Sequence, residues 1–230
     1  MCRVRDLIGG GAKWTLVALA LSFGACVQAE TQVYLLRGWF GVFSTGLDTM
    51  AEELRAKGIK AEAVGHLAWR STASKVVRER EAGKTVRLVL IGHSQGGNNA
   101  IDIARELEGR KIPVDLLITL APWLQDPVPS NVVRALNYYQ SGGWGSPLTA
   151  APGFKGELSN IDLANDPNTF HANIDKNARI QAEIVRAIAA LNAAGGVRPV
   201  RPEVQAAPPV APAPANPPAA PAETGVPVSR

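Results

Sequence analysis

The chain has 230 residues, with 46% hydrophobic and 19% charged residues and two cysteines, Cys2 and Cys26. That composition is that of a packed globular domain, and cysteines confined to the first 26 positions exclude a disulfide framework and a thiolate metal cage. The net charge of +4 comes largely from the ends: residues 30–197 carry 18 basic against 17 acidic groups. A near-neutral middle gives no electrostatic footprint for a nucleic-acid partner.

Residues 1–29 read as a secretory signal. A basic stretch precedes the apolar run Trp14–Phe23, and small residues follow up to Ala29. About ten apolar residues fall short of the ~20 a membrane-spanning helix needs, so export to the periplasm or medium is expected rather than a stable transmembrane anchor. Cys26 in Phe23-Gly24-Ala25-Cys26 is the alternative processing point, a lipoprotein box with Phe in place of its aliphatic residue.

Val33–Leu36 is a short apolar strand that delivers the glycine-bearing turn Arg37-Gly38-Trp39-Phe40-Gly41. Thr45 and Asp48 have capping-box spacing, and Leu47, Met50, Ala51 and Leu54 share one face of a helix ending near Gly58. Ile59–Gly65 reads as a strand and Thr72–Ala82 as a charged helix. Thr85–Gly92, apolar apart from Arg87, has the pattern of a strand buried on both faces of a parallel sheet. It runs into Gly92-His93-Ser94-Gln95-Gly96-Gly97 and then a helical pattern to Leu107.

Strands are expected at Val114–Leu120, Val132–Tyr138 and Glu157–Ile161, with a Gly/Ser/Pro loop over 141–156, the aromatic stretch 138–148 being placed to line a ligand pocket at the strand ends, and a closing helix over 176–193. This alternation predicts an α/β fold, a mostly parallel sheet flanked by helices, within residues 30–196. Residues 197–230 hold ten of the 17 prolines among Ala and Val and read as a disordered Pro/Ala-rich tail.

The G-x-S-x-G between a buried strand and a helix is a nucleophile elbow, a turn so sharp that Gly92 and Gly96 stand where backbones crowd. On these residues the chain resembles the α/β-hydrolase family, in particular its lipases, esterases and thioesterases, in a compact form without a large cap. The resemblance implies a serine hydrolase with Ser94 as nucleophile, a carboxylate and a histidine following it in chain order, and an oxyanion hole from the amide of Gln95 and one from the early glycine turn, Trp39 or Phe40.

Three histidines are available. His93 is locked beside Ser94, His66 precedes it, and His171 lies after the last strand, where the resemblance places the general base. For the acid, Asp126 is the first carboxylate after Val114–Leu120, with Asp162 and Asp166 as alternatives. Ala121, directly after that strand, stands where related hydrolases often carry Asp. No metal cluster, P-loop or dinucleotide glycine pattern occurs, so no cofactor is implied. The expected substrate is an ester or thioester, small or lipid-like. The competing reading is a non-catalytic envelope or binding protein that keeps the hydrolase fold.

Overall fold

The computed structural model describes residues 30–39, 41–84 and 86–193. The chain separates into two units, Met1–Val197 and Arg198–Arg230. The signal read in residues 1–29, and with it Cys26, lies outside the described residues, as do the tail and Phe40.

Six strands form one sheet: β1 (Glu30–Arg37), β2 (Lys60–Gly65), β3 (Val86–His93), β4 (Leu116–Leu120), β5 (Arg134–Tyr139) and β6 (Glu157–Asp162). Their spatial order is β2-β1-β3-β4-β5-β6, with every neighbouring pair parallel. Four helices connect and close it: α1 (Gly46–Ala56), α2 (Trp69–Glu81), α3 (Gln95–Glu108) and α4 (Ala178–Ala193). The α/β class expected from the sequence is the class observed.

Period-two alternation sends successive strand residues to opposite faces, and the core divides accordingly. Val33, Leu35, Val89, Ile91, Ile118 and Leu120 pack with α1 and α4 through Leu47, Met50, Leu54, Ile180, Ile184 and Ile188. Tyr34, Leu36, Leu88, Leu90 and Leu117 pack on the other face with α2 and α3 through Val76, Ile101, Ile103 and Leu107. Fully buried side chains of this size each contribute roughly 1.5–3 kcal/mol relative to exposure.

Three local expectations are corrected. The helix read from Thr72 begins at Trp69, after a 3₁₀ turn over His66–Ala68. The strands read from Val114 and Val132 begin at Leu116 and Arg134, those two valines forming only an isolated bridge. The Thr45–Asp48 capping box does not form, because tertiary partners take both ends. Asp175 Oδ2 accepts the Gly46 N–H at 2.8 Å, and the Asp48 carboxylate pairs with Arg37, Nε to Oδ2 at 2.9 Å.

From β1 the chain goes to β2 on one side and then returns to β3 on the other. The carboxyl ends of β1 and β3 therefore flank a topological switch point, where open α/β sheets place their ligands.

Candidate active site

Between the last residue of β3, His93, and the first of α3, Gln95, there is one residue. Ser94 makes the whole turn at φ 56° and ψ −127°, a left-handed conformation that costs a non-glycine residue on the order of 1–3 kcal/mol. Surrounding bonds hold it there: Ser94 N–H donates to Leu120 O at 2.9 Å, and Gly97 N–H to Ser94 O at 2.9 Å. Close approach needs glycine on both sides. A Cβ on Gly92 would lie 2.1 Å from Gly96 O, and one on Gly96 would lie 2.1 Å from Leu36 O.

Ser94 Oγ and His171 Nε2 lie 3.0 Å apart, within hydrogen-bonding distance. The structure thus joins the two residues that the sequence pairs as nucleophile and base, 77 positions apart. Burial, then the neighbouring His93, push the His171 pKa down to about 4, against an opposing pull from the Asp175 charge. The imidazole is accordingly neutral and able to accept a proton near pH 7.

His93 is buried, and for a neutral ring its bonds have only one consistent direction. The His171 carbonyl can only accept, so a neutral His93 carries its proton on Nε2 and its bare Nδ1 accepts the Ser44 hydroxyl at 2.8 Å, while Ser44 Oγ accepts the Gly38 N–H at 3.0 Å. His93 Nε2–H then donates to the His171 carbonyl at 2.8 Å. A protonated ring could not accept from Ser44, and burial accordingly pushes the His93 pKa down to about 4. This chain ties the turn after β1 to the loop carrying His171. Nothing in the sequence pattern singles out Ser44, which lies six residues beyond Gly38. His66 sits in the turn after β2, two strands from β3.

The carboxylates fall elsewhere. Asp126 Oδ2 accepts from Asn98 Nδ2 at 2.7 Å, and its other oxygen lies 3.7 Å from Arg105. Asp162 accepts the Ser141 N–H at 3.0 Å and its hydroxyl at 2.6 Å, which holds its pKa below the usual carboxylate range. Asp166 accepts from Thr169 Oγ1 at 2.8 Å. Neither Asp126 nor an alternative makes the bond an orienting acid requires, and buried His171 Nδ1 has no hydrogen-bond partner. The position after β4 is Ala121, at φ 45°.

Two rings pack against the His171 imidazole, that of His93 with centroids 5.0 Å apart and planes at 43°, and an indole. The Trp144 ring centroid lies 4.6 Å from that of His171 at an interplanar angle of 32°, and Trp123 backs Trp144 at 5.2 Å. The Trp144 loop is pinned at both ends. Gln140 N–H donates to Trp144 O at 3.1 Å, and fully buried Asn137 donates through Nδ2 to Ser146 O at 2.9 Å. Gly145, at φ 85°, lets the loop press on Ala121, whose Cα would sit 3.0 Å from an added Cβ.

A cleft of about 280 Å³ opens at Ser94 and His171, lined also by Gly38, Trp39, Phe43, Ser44, His93 and Ala172. Trp39 is 61% exposed. Gln95 opens α3, so its amide has no acceptor within the helix. No residue of the stretch 138–148 lines this cleft, contrary to the expectation for that loop. Among the described residues no cluster of His, Cys, Asp or Glu could hold a metal ion, and no helix is long and apolar enough to cross a membrane.

Six parallel strands, a serine elbow after the third and a histidine after the last give the chain the α/β-hydrolase architecture. No protein-family model and no curated protein matches the sequence. Among solved structures, the chain is similar to a protein from Xanthomonas campestris pv. campestris assigned to the alpha/beta hydrolase superfamily, with 19% identity over 68% of this chain and 98% of that one and a TM-score of 0.39. It is also similar to Est1E from Butyrivibrio proteoclasticus, with 11% identity over 73% and 89% of the two chains and a TM-score of 0.42. A cutinase-like protein from Cryptococcus sp. shows 13% identity over 73% and 97%, with a TM-score of 0.42. The architecture rests on the topology and the elbow.

Proposed function

We propose that the chain is an exported serine hydrolase that cleaves a carboxylic ester or thioester through an acyl-enzyme at Ser94. The observation that supports it most is the 3.0 Å contact from Ser94 Oγ, on its left-handed elbow, to a neutral His171 Nε2. His171 takes the serine proton as Oγ attacks the carbonyl carbon. The tetrahedral oxyanion accepts from the Gln95 amide and from Trp39 or Phe40 in the turn after β1. Imidazolium then protonates the departing alkoxide or thiolate. A water, deprotonated by His171, attacks the acyl carbon and frees Ser94. The address read in residues 1–29 supports export.

One observation favours the non-catalytic alternative, the unpartnered Nδ1 of His171. A fluorophosphonate probe separates the two readings. Mass spectrometry is expected to find the adduct on Ser94 in the wild type and greatly slowed labelling in His171→Ala. An unlabelled wild type, or equal rates in the two proteins, overturns the serine-hydrolase reading.

The acid limb of the reaction supplies a second test. Catalysis needs His171 neutral, and a pKa lowered to about 4 keeps it neutral well below the ordinary histidine value. For a p-nitrophenyl ester, kcat/KM is expected to stay level from pH 8 to 5 and to halve near pH 4. A midpoint at or above ~6.5 would mean that the base is solvated or charge-paired.

A further inference from the structure

The proposed hydrolase has a base whose second nitrogen makes no hydrogen bond to a carboxylate, buried Asp175 acting on the ring through its charge alone, and two tryptophans packed in series against that same ring. We propose that Trp144 is a positioning residue that takes over the work of the absent acid, holding the His171 ring in line with Ser94 and stabilising the imidazolium through its π face. This rests on the reading of Ser94 and His171 as nucleophile and base.

Four observations carry it. Trp144 lies within the ~6 Å range at which an aromatic face attracts a cation, with its centroid 4.6 Å from that of His171. Its loop is built for that placement. Asn137 and Gln140 fix the backbone on either side, and Asp162, which the sequence offers as an acid, instead pins Ser141 at the loop's entry. The loop also occupies the ground an acid would need: Gly145 rests on Ala121, the residue directly after β4. Finally, Trp144 reaches His171 without itself lining the cleft at Ser94.

The indole has two physical tasks. A histidine without an Nδ1–H acceptor can turn about its side-chain bonds, and a flat ring packed on its face removes that freedom. When Ser94 transfers its proton the ring gains a full charge in a half-buried place, and the quadrupole of Trp144 offsets part of the cost of desolvation. Neither task changes how the neutral substrate is held. The signature is therefore a loss in kcat at nearly constant KM.

The test is a double-mutant cycle on the full chain, with p-nitrophenyl butyrate as substrate. Trp144→Ala is expected to lower kcat roughly 10- to 30-fold with KM within about threefold, and Trp144→Phe, which keeps a π face, to stay within about threefold of wild type. In a His171→Ala background the same Trp144→Ala change is expected to cost less than twofold, because Trp144 acts through the ring that has been removed. Trp144 is 46% exposed, so the variants should fold, and circular dichroism checks that they do.

The proposal is overturned if Trp144→Ala leaves kcat within twofold of wild type, or raises KM alone as a cleft wall would. It is also overturned if the loss persists undiminished without His171, or if Trp144→Phe is as damaged as Trp144→Ala. A His171→Ala enzyme with wild-type turnover overturns the base assignment itself and the Trp144 role with it, and is told apart by that single-variant measurement.

Discussion

Alanine at Ser94 is expected to reduce ester turnover to the background set by binding alone, a loss on the order of 10³- to 10⁶-fold in kcat. His171→Ala should cost nearly as much, and the double variant little more than either. A hydroxyl and the base 3.0 Å from it act as one unit, so removing either leaves the other with nothing to do. Asp126→Asn supplies the contrast. Its carboxylate serves Asn98 and Arg105 on α3, so turnover should stay within about threefold of wild type, any loss coming from a slightly loosened loop. Comparable losses in Asp126→Asn and His171→Ala would restore Asp126 as the orienting acid. Hydrolysis of a p-nitrophenyl ester by the four proteins, read as kcat and KM separately, checks each of these outcomes.

The legibility of this site in the sequence follows the range of the interactions. Gly92, Ser94 and Gly96 announce themselves because one strand, one sharp turn and one helix follow each other directly in the chain, and the close approaches that demand glycine fall at two positions beside the serine. His171 is legible for a different reason, since only one of three histidines follows the last strand. The acid is decided by side-chain directions at the carboxyl ends of β4, β5 and β6, which spacing along the chain does not encode. Asp126, in the loop after β4, and Asp162, at the end of β6, are the right residue type, yet each is spent on holding a loop in place. Ser44 and Trp144 act only because the sheet order brings the turn after β1 and the loop after β5 to the same edge. The failed capping box at Thr45 has the same cause: Asp175, 129 positions beyond Gly46, reaches the helix start through the fold.

Alanine at Gly96 is expected to be the most damaging single change to stability, above about 4 kcal/mol, with the protein recovered in aggregates or melting far below wild type. The new Cβ would sit 2.1 Å from Leu36 O and 2.7 Å from Arg37 O, both backbone atoms of the parallel strand β1, so no rotamer change relieves the overlap. Relief would require α3 to lift off the sheet, exposing Ala100, Ile101, Ile103 and Ala104, all of which are now fully buried. Gly92→Ala should follow closely, its Cβ falling 2.1 Å from Gly96 O. Gly65→Ala is the control, since nothing lies within 4 Å and φ is −70°, so its melting temperature should move by no more than a degree or two. Ser94 completes the argument with the opposite sign. At φ 56° a glycine relaxes strain that serine bears, and Ser94→Gly is expected to stabilise the fold by roughly 1 kcal/mol while removing the proposed nucleophile. Thermal melts of the four variants decide the matter. A Gly96→Ala protein that melts with the wild type would mean that α3 does not pack on β1 as closely as the 2.1 Å approach requires, and the elbow's strain, with the exposure of Ser94 that depends on it, would lose its structural basis.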